Sequence, residues 1–390
     1  MMVTLGIEQL IAGRGPDLSG KRLGLLSNQA STDRFFCHSR DLINRHFPGQ
    51  LTCLFSPQHG FFAEKQDNMI ESGHERDGST ELPIFSLYGE VRMPTSAMLD
   101  HLDVLLIDLN DVGTRVYTFI YTVAYCLQAA KDCGKQVVVL DRPNPIGGEQ
   151  MEGNVLREGF ETFVGLYPLP MRHGMTVGEL ALLFNGHFGI GADLSVVPMA
   201  GWQRRMLFPE TGLPFVFPSP NMPTFLTASV YPGQVLWEGT NVSEGRGTTL
   251  PFELFGAPYF ETEAILASLR PEDLTGCLLR PLAFEPTSNK WQNTPCHGFQ
   301  LHITDFARYR PYRTSLALLR SVMLLYPEKF SFKQPPYEYE YELLPIDCIL
   351  GDDLIRKDLA DGRQVEDMET EWQQDLKNFA DQRRPFLLYA

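Results

Sequence analysis

The apolar run at residues 103–109 constrains the fold of this chain more than any other feature of its sequence. The run reads DVLLIDL and has the length of one strand, as is typical of parallel strands covered on both faces. Residues 116–134 follow with helical spacing of their apolar positions and end on a glycine. Residues 135–145 predict a second strand, which two prolines stop. The order strand, helix, strand indicates an open, mostly parallel sheet.

The same alternation continues on both sides of this unit. Further strands are predicted over 22–28, 51–56 and 193–199, and further helices over 37–46 and 175–188. Thr176 and Glu179 have the spacing of a capping box, which marks the start of the last of these helices. We therefore predict an α/β fold, in which residues 1–215 form a Rossmann-like domain with an open, mostly parallel sheet.

The composition changes after about residue 200. Residues 200–260 are rich in Pro, Gly, Asn and Thr, and few regular helices or strands are expected there. The aromatic residues of this stretch argue against disorder, so we expect an ordered functional surface. The remainder mixes helices, over 313–326 and 370–380, with a strand over 297–304. We predict that residues 216–390 form a Pro/Gly-rich cleft segment and a smaller C-terminal α+β domain.

Charge and cysteine content narrow the range of partners. The chain has 390 residues and a formal net charge of −15, which disfavours binding to nucleic acid or to an anionic membrane surface. Its seven cysteines are odd in number and lack CxxC spacing, so we expect free thiols rather than disulfides or a zinc site. No stretch approaches the roughly 18 apolar residues of a membrane span, and the first residues lack the pattern of a signal peptide. We expect a cytoplasmic protein without membrane insertion, and the sequence leaves its oligomeric state open.

Three polar motifs directly follow predicted strands. SPQHG follows the strand at 51–56, NDVGTR follows the strand at 103–109, and DRPNP follows the strand that begins at residue 135. Ligands bind beyond the carboxyl ends of the strands in open parallel sheets. We therefore expect these three motifs to meet in one site.

Two of these motifs allow both a functional and a structural interpretation. Asp108 and Asp111 lie three residues apart at a strand end, where they can act as proton donor and base or hold sugar hydroxyls. Alternatively, Asp111 caps the following helix and pairs with Arg115. The prolines of DRPNP hold a rigid loop whose polar residues suit either ligand recognition or a structural turn. These polar residues are Asp141, Arg142 and Asn144.

Two histidines and one glycine-rich stretch are further candidates. His59 and His173 each precede a glycine in a predicted turn, where a histidine can exchange protons, bind substrate or support the turn. Metal binding is not favoured, because the sequence has no HxH or HExxH spacing. Residues 237–247, WEGTNVSEGRG, place two acids, an amide and an arginine beside a tryptophan. This composition suits a sugar platform with an arginine that clamps a carboxylate, or else a loop bonded only to itself.

The order of the motifs along the chain indicates a family. SPQHG, DLNDVGTRVYTFIYT, LDRPNPIGG, RHGMTVGELA, PSPNMPT and EGTNVSEGRGT occur in that order, and the similarity that they indicate spans roughly residues 5–385. The chain resembles the bacterial exo-β-N-acetylmuramidases of glycoside hydrolase family 171, long known only as a domain of unknown function. The resemblance implies a Rossmann-like N-terminal domain, a smaller C-terminal domain and a cleft between them. It also implies removal of N-acetylmuramic acid, or a related amino sugar, from the non-reducing end of peptidoglycan fragments, without a metal or an organic cofactor.

The resemblance and the residue chemistry together give two sets of site residues. Hydrolysis of a glycoside normally needs an acid and a second carboxylate, unless the acetamido oxygen of the substrate replaces the latter. The candidates for catalysis are His59, Glu64, Asp108, Asp111 and Glu244. The candidates for binding the saccharide or muropeptide are Gln58, Arg115, Tyr117, Asp141, Arg142, Asn144, His173, Asn221, Glu238, Asn241 and Arg246.

One departure from the family bears directly on catalysis. The family commonly has Pro-Glu-His-Gly where this chain has Gln58 before His59, and a glutamine cannot donate a proton as an acid. We expect Glu64, six residues later in FFAEKQDN, to be a relocated acid. Two other functions remain open from the sequence: a saccharide-binding protein without catalysis, and a hydrolase of another bond.

Overall fold

Parallel strands form the core of the first half of the molecule, in a computed structural model that describes residues 2–66 and 69–390. The strands of this half are β1 (Leu23–Ser27), β2 (Leu51–Ser56), β3 (Glu75–Arg76), β4 (Pro83–Ser86), β5 (Val104–Asp108), β6 (Gln136–Leu140), β7 (Glu152–Val155), β8 (Pro170–Arg172) and β9 (Asp193–Val197). Seven of these described strands form one sheet in the order β3-β4-β2-β1-β5-β6-β9, in which β3 runs antiparallel to β4 and the other pairs are parallel. β7 and β8 form a separate antiparallel pair. The predicted open, mostly parallel sheet is confirmed.

Burial on both faces explains why β5 has a continuous apolar sequence. Leu105 and Ile107 belong to one hydrophobic core, whereas Val104 and Leu106 belong to another on the opposite face. The helices of this half are α1 (Gly6–Ile11), α2 (Ser39–His46), α3 (Ser96–Leu99), α4 (Phe119–Asp132) and α5 (Val177–Gly186). Apolar side chains of α4 and α5 enter the first core, and those of α1 and α2 enter the second. The sheet is therefore covered on both sides, as the apolar runs predict.

The capping box at the start of α5 is also confirmed. The Thr176 hydroxyl accepts a hydrogen bond from the Glu179 amide at 3.2 Å. The Glu179 carboxylate accepts one in return from the Thr176 amide at 3.1 Å. The local sequence thus marks the residue at which the helix begins.

The second half combines helices with a small antiparallel sheet. Its helices are α6 (Phe225–Gln234), α7 (Thr262–Ser268), α8 (Pro311–Leu325), α9 (Pro345–Leu350), α10 (Leu354–Ala360) and α11 (Val365–Arg383), and its strands are β10 (Leu254–Ala257), β11 (Cys277–Phe284) and β12 (Cys296–Ile303). The three strands pair in the order β10-β12-β11. The predicted smaller α+β domain is confirmed, whereas its boundary between residues 215 and 216 stays a prediction.

Helix α6 differs from the sequence-based expectation of few regular elements over 200–260. It begins after Thr224, whose hydroxyl accepts from the Thr227 amide at 3.1 Å. It also contains Pro232, a residue that normally breaks a helical pattern. Packing against α8 stabilises the helix here: a Cβ on Gly233 would lie 2.0 Å from the Pro311 carbonyl oxygen, so the two helices approach very closely.

Buried arginines join the two halves. Arg115 is fully buried and donates to the carbonyl groups of Asn154 and Leu169 in the first half and of Ile349 and Leu350 in α9. At the end of α11, Arg383 donates to the carbonyls of two further residues of the first half, His173 and Gly174. These bonds hold the second half against the segment of the first half that contains β7 and β8.

The helices and the cysteines bear on two further predictions. Within the described ranges, no helix is both long and apolar enough to cross a membrane. All seven cysteines are free thiols, as predicted, and five of them are buried.

Candidate active site

A cavity of about 460 Å³ lies where the end of β2 and the start of α4 meet the second half of the chain. Its polar lining residues are Gln58, His59, Thr118, Ser219, Asn221, Glu238, Arg246 and Glu338, and its aromatic ones are Tyr117, Phe119, Tyr231, Phe252 and Tyr337. Pockets for sugars typically combine such aromatic walls with a few converging polar groups. The cavity is therefore the strongest candidate for a functional site.

Gln58 connects the end of the sheet to the far wall of this cavity. Its amide oxygen accepts a hydrogen bond from the Thr118 hydroxyl at 2.5 Å. Its amide nitrogen donates to the Glu338 carboxylate at 3.1 Å. The next residue, His59, has a φ of +75° and its Nδ1 donates to the Lys65 carbonyl at 2.7 Å. A side chain at the end of β2 is thus held in a fixed orientation toward a carboxyl group 280 residues away.

Glu338 also lines the cavity and was not among the residues predicted from the sequence. It is 3% exposed, and besides Gln58 its carboxyl group receives a hydrogen bond from the Tyr88 hydroxyl at 2.6 Å. Its φ of +48°, followed by +67° at Tyr339, places two consecutive residues in the left-handed region. Such a conformation is uncommon for residues other than glycine and is concentrated at functional sites. The sequence signal was the run of Tyr and Glu at 337–342, directly after two prolines.

Burial sets the protonation of Glu338. It raises the pKa of this carboxyl group, more than the hydrogen bonds from Tyr88 and Gln58 lower it. The negative charge of Glu238 acts in the same direction as burial. Both hydrogen-bond donors are neutral groups, so they stabilise the carboxylate less than a bonded cation does. Glu338 therefore holds a proton more firmly than an exposed glutamate does, as a proton donor requires.

A row of alternating charges lies along the opposite side of the cavity. Glu238 accepts from Arg246 at 2.5 Å and from the Tyr337 hydroxyl at 2.7 Å. Arg246 also lies 3.2 Å from Glu244, which is 2.7 Å from the Lys290 ammonium group. Burial raises the pKa of Glu244, but the charges of Lys290 and Arg246 outweigh it and bring the pKa below its usual value. Each carboxylate of this row is therefore paired with at least one cation.

A second cavity, of about 620 Å³, continues from the first. The two share Glu238, Arg246 and Tyr337, and the second is also lined by Lys290 and Lys333. The candidate site therefore extends past the charged row toward further basic side chains.

Seven of the sequence-predicted residues lie at these two cavities. Those lining the first are Gln58, His59, Tyr117, Asn221, Glu238 and Arg246, and Glu244 borders the second. The stretch 237–247 contributes its acids and its arginine as expected. Its tryptophan instead stacks on Phe255 in the core, with ring centroids 5.2 Å apart.

The expectation that all three strand-end motifs meet in one site differs from the structure. Asp108 is fully buried and forms an ion pair with Arg142, whose Nη2 lies 2.8 Å from the carboxylate. Asp141 accepts from the Gly178 amide and the Thr176 hydroxyl, both at 2.7 Å, and so anchors the start of α5. Burial raises the pKa of Asp141 to about 6. Asp108 and Asp141 do not line the cavity. The carboxylate of each is bonded to other groups of the protein instead.

Other predicted residues also lie apart from the cavity. Asp111 accepts from the Gly113 amide at 2.7 Å and lies 3.2 Å from His173 Nε2, beside a separate pocket that Arg142 also lines. Asn144 donates to the Met175 carbonyl at 2.9 Å, and Asn241 donates to the Lys329 carbonyl at 2.8 Å. These polar side chains support loops by bonding to the backbone.

The predicted relocated acid, Glu64, also lies outside the cavity. Its side chain is exposed and folds back over Gly60, where its carboxylate fills the space beside the glycine Cα. Arg115 is the joint between the halves described above. Among residues 2–66 and 69–390, no group of three or more His, Cys, Asp or Glu side chains is arranged to hold a metal ion.

Comparison with known proteins places both halves of the chain in one family. Residues 23–226 match the family model described as exo-β-N-acetylmuramidase NamZ, N-terminal, and residues 229–389 match its C-terminal counterpart. The chain is 43% identical to the peptidoglycan β-N-acetylmuramidase NamZ of Bacillus subtilis over 387 residues, which cover 99% of this chain and 91% of that protein.

Solved structures give the same result. The fold matches a DUF1343 family protein of Bacteroides fragilis with a TM-score of 0.89 and 31% identity, over 100% of this chain and 99% of that one. A second DUF1343 family protein of the same organism matches with a TM-score of 0.78 and 29% identity, over the same shares of the two chains. The chain, with its cavity between a parallel sheet and a smaller α+β domain, belongs to the exo-β-N-acetylmuramidase NamZ family.

Proposed function

We propose that this protein is an exo-β-N-acetylmuramidase, which removes N-acetylmuramic acid from the non-reducing end of peptidoglycan fragments. One observation carries the proposal: two buried carboxyl groups, Glu238 and Glu338, line the same cavity in different electrostatic surroundings. Most glycosidases cleave their substrate with such a pair, one group acting as acid and the other as base, nucleophile or stabiliser of positive charge. The family relationship and the activity of the Bacillus subtilis protein support the same substrate class.

The lining of the cavity suits one amino sugar. The cavity combines aromatic walls with a few converging polar groups, as sites for small ligands do. The aromatic rings of Tyr117 and Tyr231 offer apolar surface to the ring of the sugar, and Asn221 offers an amide to its acetamido group. The lactyl carboxylate of N-acetylmuramic acid needs a cation, which Arg246 supplies at the wall of the cavity.

The reaction needs only side chains and water. An acid protonates the glycosidic oxygen, the bond from that oxygen to C1 of the sugar breaks, and a carboxylate stabilises the positive charge that develops at C1. Glu238 is suited to the second task, because its carboxylate lines the cavity in an ion pair with Arg246.

The purified protein should release free N-acetylmuramic acid from a disaccharide that carries this sugar at the non-reducing end. The matched control is a fragment of the same length that ends in N-acetylglucosamine, from which we expect no release. Binding of the first fragment without hydrolysis would contradict the proposal and favour a saccharide-binding protein. Equal cleavage of both fragments would contradict the exo-acting specificity.

We also propose a cytoplasmic location. All seven cysteines are free, and proteins with this cysteine usage are typical of reducing compartments. Fractionation of the source cells with antibodies against the protein tests this. Recovery from the medium or the cell wall would overturn it.

A further inference from the structure

The proposed function leaves open which group donates the proton to the leaving sugar. Glu64, the acid expected from the sequence, is exposed outside the cavity, and residue 58 is an amide. Two glutamates line the cavity, Glu238 and Glu338. Their hydrogen-bond partners differ in charge, and this difference separates their roles.

Among the residues that the structure describes, Glu238 receives a hydrogen bond from a cation, whereas the hydrogen bonds to Glu338 come from neutral groups. Arg246 donates to Glu238 at 2.5 Å, so the hydrogen-bond partner of this carboxyl group is a cation. The groups bonded to Glu338 are the Gln58 amide at 3.1 Å and the Tyr88 hydroxyl at 2.6 Å. A buried carboxyl group with neutral partners retains its proton more readily than one paired with an arginine.

The surroundings of Glu338 on other segments act in the same sense. Acidic or phenolic groups facing it are Tyr88 after β4, Tyr231 on α6, Glu238 on the 3₁₀ segment Val235–Gly239, and the neighbouring Tyr337 and Tyr339. The cation that faces it, Arg92, lies over the Tyr339 ring at 3.5 Å and acts on Glu338 without a hydrogen bond. His59 lines the same cavity, where its Nδ1 donates to a backbone carbonyl.

Gln58 fixes the direction of the carboxyl group. The Thr118 hydroxyl donates to the amide oxygen of Gln58, so the amide nitrogen must face Glu338. An amide in this orientation donates a hydrogen bond but cannot take the proton of the acid. A carboxylate at position 58 would instead compete with Glu338 for one proton, as paired carboxylates do.

We propose that Glu338 is the proton donor of this site and that Gln58 is the residue that positions it. The inference rests on the proposed glycosidase function. The proton of Glu338 passes to the glycosidic oxygen as the bond to C1 breaks, and the electron pair of that bond stays on the leaving sugar. The oxygen of a water molecule then bonds to C1, and the proton that this water loses restores the acid over the cycle.

The test compares two substrates of different leaving-group quality. A natural disaccharide needs protonation of its leaving sugar, whereas a 4-nitrophenyl glycoside leaves as a stable anion and needs little. In Glu338→Gln we expect kcat on the disaccharide to fall by about 10²-fold to 10⁴-fold, the usual contribution of a general acid, and kcat on the aryl glycoside to fall far less. The matched control is Glu342→Gln, an exposed glutamate of the same segment, which should keep both activities.

A second variant tests the role of Gln58. The amide of Gln58 stabilises the charged form of Glu338, so Gln58→Leu should raise the pKa of the acid. Activity on the disaccharide requires the protonated acid, so the alkaline limb of the kcat/KM profile should move to higher pH, by roughly 0.5 to 1 unit. A merely structural role for Gln58 would lower activity without moving this limb.

The outcomes separate the two proposals. Wild-type protein that cleaves neither substrate overturns the glycosidase function and this inference with it. A second outcome is that the wild type is active and Glu338→Gln loses activity equally on both substrates, or loses none. That result overturns only the assignment of the acid. Thermal unfolding of each variant identifies losses of activity due to misfolding. If Glu338→Gln is misfolded, the position of the alkaline limb in Gln58→Leu tests the assignment of the acid.

Discussion

The replacement Asp141→Asn should change how the stability of this protein depends on pH. Asp141 is fully buried under the start of α5, and burial raises the pKa of its carboxyl group from the usual 3.8 to about 6. In the folded state the group therefore binds its proton more tightly than in the unfolded chain. Its contribution to stability is fully present below pH 3.8 and is lost as the pH rises through about 6.

The size of this effect follows from the two pKa values. They differ by about two pH units, and each unit corresponds to about 1.4 kcal/mol, so the total is about 3 kcal/mol. The asparagine variant keeps the shape of the side chain but does not titrate. The free energy of unfolding of the wild type minus that of Asp141→Asn should therefore decrease by about 3 kcal/mol between pH 4 and pH 7.

Urea unfolding of both proteins, followed by fluorescence at half-unit pH steps, measures this difference. Other groups titrate in both proteins and cancel in the subtraction. The same replacement at Asp193, an exposed carboxylate at the start of β9, is the matched control for an aspartate that is not buried. A flat or rising curve for Asp141→Asn would refute the reasoning that burial dominates over the four hydrogen bonds to this carboxylate.

Three further predictions concern the joint between the halves, a helix contact and the site. Arg115→Met should destabilise the protein by about 3 to 5 kcal/mol in chemical unfolding, since it leaves four buried carbonyl groups without their donor. Gly233→Ala should lower the melting temperature, because its Cβ would meet the Pro311 carbonyl at 2.0 Å; unchanged stability would show that α6 and α8 can separate. Glu238→Gln should lower kcat by at least about 10²-fold on disaccharide and aryl glycoside alike, because charge stabilisation at C1 is needed whatever the leaving group.

Local sequence was sufficient for the elements that are buried on both sides. β5 and β6 were predictable from continuous apolar runs, and the start of α5 from a capping box of two residues. Helix α6 was not, because Pro232 breaks its pattern and the stabilising contact comes from α8. The residue that Gly233 contacts, Pro311, lies far along the chain, so a local pattern cannot indicate it.

The candidate site shows the same division between local and distant information. The sequence indicated Gln58 and Glu238 as polar residues at suitable places, but it did not indicate which way each side chain points. Asp108 was an equally good candidate by residue type and position, yet its carboxylate is paired with Arg142 and does not line the cavity. Glu338 meets Gln58 across 280 residues, in a backbone conformation that no propensity favours. Only the tertiary structure brings this pair together.

The path of the last residues has a consequence for how the protein is made. Tyr389 donates to Asp141 across 248 residues, and Arg383 donates to the carbonyls of His173 and Gly174. The sheet domain therefore takes part of its support from residues that the ribosome makes long after β9. A fragment that stops before Arg383 would lack these bonds, so the first half does not complete its own hydrogen bonding during synthesis.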